Sequence, residues 1–133
     1  MFEEERAELK DYENLENNWD GYNGLPIQKK SISAALKVLD LFQKHLKDSK
    51  REHKGDVMPD LSGDGTVGLL LRCYYYKTKE EFEVYFLFDE EIEGVKTSAF
   101  SSTPKKITEE IPEKIITFDE LSTYFDWILN KQK

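Results

Sequence analysis

Little in this chain is suited to crosslinking, to metal chemistry or to insertion into a bilayer. Its 133 residues include one cysteine and two histidines. A lone thiol, Cys73, cannot close an internal disulfide, so a reducing compartment is expected, the cytoplasm being the natural one. His45 and His53 stand too far apart along the chain for the i, i+4 spacing that sets two histidines on one helix face, and no metal or cofactor is expected. No apolar run approaches the ~20 residues that a membrane helix requires. The opening Met1-Phe2-Glu3-Glu4-Glu5-Arg6 lacks the apolar core of a signal peptide, so a soluble protein with no membrane partner is expected. A basic excess is missing too. The formal charge of −8 argues against direct binding of nucleic acid and leaves a basic protein partner open. Internal repeats, low-complexity tracts and linkers are also absent, so residues 1–133 read as a single domain.

What the chain does have is aromatic residues, 13% of the total, and clear apolar periodicity. Phe2, Leu9, Tyr12 and Leu15 predict a helix over residues 2–16, with Asn17 and Asn18 as terminators. Ile32, Ala35, Leu36, Leu39, Phe42 and Leu46 predict a core helix over residues 29–48. Strict alternation follows in Val67, Leu69, Leu71, Cys73 and Tyr75, then in Phe82, Val84, Phe86 and Phe88. A loop of Lys77-Thr78-Lys79-Glu80 makes these strands a hairpin, pairing Tyr75 with Phe82, Cys73 with Val84 and Leu71 with Phe86. Residues 93–103 read as a third, polar strand at or near a sheet edge. Ile107, Ile111, Ile115 and Ile116 supply a further short strand or an extended cover. Thr117-Phe118-Asp119-Glu120 has the pattern of a capping box before the apolar face of Leu121, Tyr124, Phe125, Ile128 and Leu129. The expected fold is α+β, with two N-terminal helices, an antiparallel sheet of three to four strands and a C-terminal helix.

Between the first two helices lies Asn17-Asn18-Trp19-Asp20-Gly21-Tyr22-Asn23-Gly24-Leu25-Pro26. Gly21 and Gly24 suit positive φ, Pro26 restricts Leu25 to extended geometry, and Asp20 can accept backbone N–H groups two residues on. Trp19 reads most simply as a plug beneath the turn. The same residues read functionally would make Trp19, Asp20 and Tyr22 a small-ligand corner. This turn, followed by an amphipathic helix, resembles a widespread group of small, mostly uncharacterised bacterial and phage proteins in which a Trp-Asp-Gly turn and a nearby proline precede a helix. Gly65-Thr66-Val67-Gly68-Leu69-Leu70-Leu71 and Glu81-Phe82-Glu83-Val84-Tyr85-Phe86 stand where such proteins carry a glycine-bearing strand and an apolar–acidic strand. The resemblance implies a bacterial or mobile-element setting and a fold, but no activity. Asn23 replaces the glycine usual at its position.

Catalytic signals are weak. Asp60-Leu61-Ser62-Gly63-Asp64-Gly65-Thr66-Val67 opens like a calcium loop, but its twelfth position is Leu71 rather than Glu and a strand follows where a helix is required. A loop entering the hairpin is the better reading. Cys73 falls on the apolar strand face, where a thiol packs rather than reacts. No nucleophile–base pair or phosphate-cradling loop stands out, so no enzyme is expected. The other strand face, with Leu70, Arg72, Tyr74, Tyr76, Glu83, Tyr85 and Leu87, holds too many aromatics for a merely wetted surface. Either the C-terminal helix covers it or it contacts a partner, since Tyr and Arg are enriched at interface hot spots. The expected function is that of a bacterial or phage accessory protein that binds and restrains a protein partner, as antitoxins, immunity proteins and anti-defence inhibitors do. Arg72, Tyr74, Tyr76, Glu83 and Tyr85 are its candidate contacts. A small-ligand sensor at Trp19, Asp20 and Tyr22 is one alternative. A structural protein that self-associates, for example as a homodimer, is the other.

Overall fold

The computed structural model describes residues 1–16, 19–21 and 24–132, so the readings for Asn17, Asn18, Tyr22 and Asn23 lie outside the described residues. Among those described, helix α1 spans Glu3–Asp11, α2 Lys29–Ser49 and α3 Leu121–Asn130. The strands are β1 Asp56–Leu61, β2 Val67–Tyr75, β3 Glu80–Phe88, β4 Val95–Ser102 and β5 Ile107–Ile116. They form one antiparallel sheet in the order β1-β2-β3-β4-β5, so each strand pairs with its neighbour in the chain. No helix of the described residues is long and apolar enough to cross a membrane.

Helix α2 is the spine of the packing. Its face of Ile32, Ala35, Val38, Leu39, Phe42 and Leu46 is buried, each large side chain contributing roughly 1.5–3 kcal/mol of transfer free energy. The helix stops at Lys50, whose N–H bonds the carbonyls of Leu46 and Lys47 and whose φ of 55° turns the next N–H, that of Arg51, back to Leu46. Sheet residues Val67, Leu69, Leu71, Cys73, Val84, Phe86 and Phe88 are buried with α2 in one core. Helix α3 packs on this same side. Phe125 lies with its ring centroid 4.9 Å from Phe42 and 5.9 Å from Phe86. Asp126 accepts from His45 Nε2 at 2.7 Å and pairs with Arg51, fastening α3 to α2. Those bonds, that of His45 foremost, hold the Asp126 carboxyl below its usual range. On the other flank Glu109 of β5 accepts from Trp127 Nε1 at 3.0 Å and from Lys131 Nζ at 2.6 Å. The C-terminal helix therefore covers the apolar face and not the opposite one.

Several expectations need correction. The sheet has five strands rather than three or four. The missed strand, β1, runs into the stretch from Asp60 that reads as a loop entering the hairpin, and Pro59 and the flanking aspartates hide its single buried residue, Val57. Proline is tolerated there because β1 is an edge, and Pro112 occupies the other edge, β5, for the same reason. The polar strand over residues 93–103 is β4, near the edge but paired on both sides. The first helix is shorter than residues 2–16: α1 ends at Asp11 and passes through a 3-10 turn, Tyr12–Asn14, into extended Leu15. The capping-box signal marks the right place, yet Thr117 opens a 3-10 turn, Phe118–Glu120, before α3. Its hydroxyl donates to the Glu120 carboxylate at 3.3 Å rather than capping a backbone N–H.

The hairpin register also differs from the expected one, by two residues. Cys73 faces Phe82, Leu71 faces Val84 and Leu69 faces Phe86. The loop is Tyr76–Lys79 rather than Lys77–Glu80, and it closes with Lys79 at φ 59° and its N–H on the Tyr75 carbonyl at 2.7 Å. An even slip keeps every side chain on its expected face. It changes the cross-strand neighbours, and that matters for the site below.

Candidate functional site

The turn that looked most site-like is committed to its own architecture. Trp19 Nε1 donates to the Leu25 carbonyl at 2.8 Å. Asp20 Oδ1 accepts the Gly24 N–H at 2.8 Å, four residues on rather than the expected two. A Cβ at Gly24 would collide with the Asp20 carboxylate and the Trp19 indole nitrogen, so glycine is required there. Leu25 N–H then bonds Gly63, and Gln28 N–H bonds Gly65, at 2.9 Å each. The loop before α2 is thereby clasped to the turn joining β1 and β2. In that second turn Asp64 Oδ1 accepts from Thr66 N–H at 3.0 Å and from its hydroxyl at 2.7 Å. These bonds lower the Asp64 pKa and close a tight turn. The calcium-like stretch thus serves as the β1–β2 hairpin turn.

The two histidines also serve separate contacts. His45 holds Asp126, while His53 Nε2 donates to the Asp56 carbonyl at 2.9 Å and its Nδ1 accepts from Gln132 Nε2 at 2.8 Å. Burial lowers the His53 pKa, so the neutral ring is the favoured form. Cys73 is buried.

The remaining candidate is the outer face of the sheet. It is built from Asp56, Met58 and Asp60 on β1 and Gly68, Leu70, Arg72 and Tyr74 on β2. Glu81, Glu83, Tyr85 and Leu87 on β3 and Lys96, Ser98, Phe100 and Ser102 on β4 complete its centre. The large side chains at that centre are only half-buried, tiled by one another and wetted on top. A hollow of about 330 Å³ opens beside Ser98, Phe100, Glu110 and Pro112, where the β4–β5 register shifts.

Arg72 organises the middle of this face. It stands opposite Asp56 on one side and Glu83 on the other. Its Nε bonds Glu81 Oε1 at 2.6 Å and lies 3.7 Å from Glu83, while Nη1 is 3.9 Å from Asp56. The guanidinium lies 5.1 Å from the ring centroid of Tyr74, which meets Tyr76 edge-on at 4.9 Å. Tyr76, on the hairpin loop, is 85% exposed. Beside this chain Tyr85 crosses over Gly68 to donate to Asp60 Oδ2 at 2.8 Å. A Cβ at Gly68 would collide with the Tyr85 ring and hydroxyl, so the glycine of β2 is the groove in which that tyrosine lies. Burial first, then the bond to Asp60, raises the Tyr85 pKa and keeps the phenol protonated.

Of the residues expected to bind a partner, Arg72, Tyr74, Tyr76 and Glu83 are brought into one connected cluster. Tyr85 shares the face but is tied to Asp60. Glu81, Asp56, Asp60 and Phe100 were missed. Alternation along β3 and β4 carried the signal for Glu81 and Phe100, whereas the two aspartates could not be placed without β1. In comparisons with known proteins no family model, characterised relative or solved structure matches this chain.

Proposed function

We propose that this chain is a non-catalytic binding module that docks a basic protein partner on the outer face of its sheet and restrains it. The carrying observation is that α2 and α3 both pack on the opposite face, leaving Leu70, Arg72, Tyr74, Tyr85 and Phe100 in contact with solvent. Aromatic and arginine side chains presented on a rigid scaffold are the usual material of interface hot spots, because they bury much area at little entropic cost. Asp56, Asp60, Glu81, Glu83 and Glu110 line or flank that face against Arg72 and Lys96, which favours a cationic partner and speeds its encounter. The resemblance of the Trp19–Pro26 turn to small bacterial and phage proteins supports an antitoxin, immunity or anti-defence role in the cytoplasm.

The test is affinity capture with the wild type, with Tyr74→Ala plus Phe100→Ala, and with Lys30→Ala plus Lys47→Ala on the exposed side of α2, each checked for folding by circular dichroism. The reading expects one partner retained by the wild type and the α2 variant and lost by the sheet variant. Equal recovery by all three removes the outer face from the assignment.

A further inference from the structure

We propose that docking on the outer face is proton-linked: Glu81 and Glu83 share a proton in the free protein and release it to solvent when a cationic side chain of the partner arrives, so the partner binds more tightly as pH rises. The inference rests on the reading of this face as the docking surface.

The geometry supplies the reason. Glu81 and Glu83 are two residues apart on β3 and project from the same face. Their side chains retain only 26% and 20% of their exposure. One guanidinium, that of Arg72, serves both and reaches Asp56 as well. Three carboxylates around one cation leave excess negative charge in a partly desolvated spot, and two neighbouring carboxylates of that kind resist ionising together.

The surroundings offer no further relief. From β2 the only charged group facing Glu83 is Arg72, and from β4 its opposite neighbour is Phe100. On its own strand the flanking groups are Glu81 and Tyr85. Strand β1 contributes Asp56, beyond Arg72. Lys96 stands opposite Leu87, four residues along β3 and so about 13 Å away. In keeping with this arrangement, burial, followed by the bond to Glu81 and its charge, raises the Glu83 pKa to about 7, and the bond from Glu83 holds Glu81 low. Near neutrality the pair therefore holds one proton between its two carboxyls. A lysine or arginine from the partner stabilises the doubly ionised pair and takes the place of that proton, which leaves to water.

The experiment uses the full chain and tri-arginine amide as a cationic probe. Carboxyl-carbon chemical shifts of the free protein are followed through a pH titration. Probe affinity and proton release are then measured by calorimetry in two buffers of different ionisation enthalpy, at about pH 6 and about pH 8, with amide shifts mapping the site. The expected results are a Glu81–Glu83 titration near neutrality and release of close to one proton at the lower pH. Affinity should rise about tenfold across that range, as expected for one proton with an apparent pKa of about 7. Glu83→Gln, which still donates a hydrogen bond to Glu81, should bind without proton release or pH dependence. If neither carboxyl titrates between about pH 6 and 8, the proton linkage is overturned whatever the face binds. Outer-face shifts with pH-independent affinity in the wild type overturn the linkage and leave the docking reading standing. Probe shifts confined to the helices overturn both.

Discussion

The two faces of this sheet come from the same strands and differ in what holds them together. On the inner face Leu69, Leu71, Val84 and Phe86 are fully buried in the apolar core shared with α2 and α3. On the outer face the residues between them are held by paired polar groups: Arg72 with its carboxylates, and Tyr85 with Asp60. The inner face resists water through area, whereas the outer face is shaped by a network that water still touches. Stability should follow the first, and recognition the second.

The largest expected effect comes from opening the inner face. Phe86→Ala removes a ring packed against Phe125 and should cost about 3–5 kcal/mol in urea unfolding, against less than about 1 kcal/mol for Leu70→Ala on the other side. A loss for Leu70→Ala as large as that for Phe86→Ala would show that the outer face is also a core. Next comes Gly68→Ala. Its Cβ must displace Tyr85, so a loss of roughly 1–3 kcal/mol is expected, with much of it recovered in the Gly68→Ala, Tyr85→Ala double variant. Strict additivity of the two would mean that the ring and the glycine are not coupled.

A smaller effect should come from Glu83→Gln, and it should depend on pH. The folded-state pKa of Glu83 is raised from 4.5 to about 7. The folded protein therefore keeps a proton that the unfolded chain gives up, and wild-type stability falls as pH rises through that interval. The glutamine should be more stable than the wild type at pH 8 by about 1 kcal/mol, after allowance for solvent screening, and close to it at pH 5. A constant difference across that range would break the linkage. Smallest of all, Tyr74→Ala should shift unfolding by no more than about 0.5 kcal/mol while abolishing partner capture, which separates the roles of the two faces most cleanly.

The inner face was legible in the sequence because its signal is redundant. Each of Leu69, Leu71, Val84 and Phe86 repeats the same period-two message, and α2 repeats the helical one over many turns. The outer face depends on pairing, and pairing is set by the hairpin loop. Tyr76–Lys79 lacks the Asn-Gly or Asp-Gly signature that would fix its closure, and Lys79 adopts positive φ without being glycine. The two-residue slip that follows is silent for burial, yet it moves Arg72 from opposite Tyr85 to opposite Glu83. A charge cluster could not be read until that was known. Strand β1 was hidden for another reason: with Pro59 at its middle and one buried residue, its place comes from pairing with β2 rather than from any local preference. The Trp19 turn was legible as a turn. Its partners, Gly63 and Gly65, are distant in sequence and carry no local mark.

The strand order has a consequence for how the chain is made. Each strand after β1 pairs with the one synthesised just before it, so the sheet can close hairpin by hairpin behind α2 with little loop entropy to overcome at each step. Helix α3 breaks this rule, since Phe125 must return to Phe42 and Phe86 across the intervening strands. Until Leu121–Asn130 has left the ribosome, part of the apolar face is finished but uncovered. A chain stopped at Thr117 should collect as an aggregate in the pellet, while the 133-residue chain remains in the supernatant.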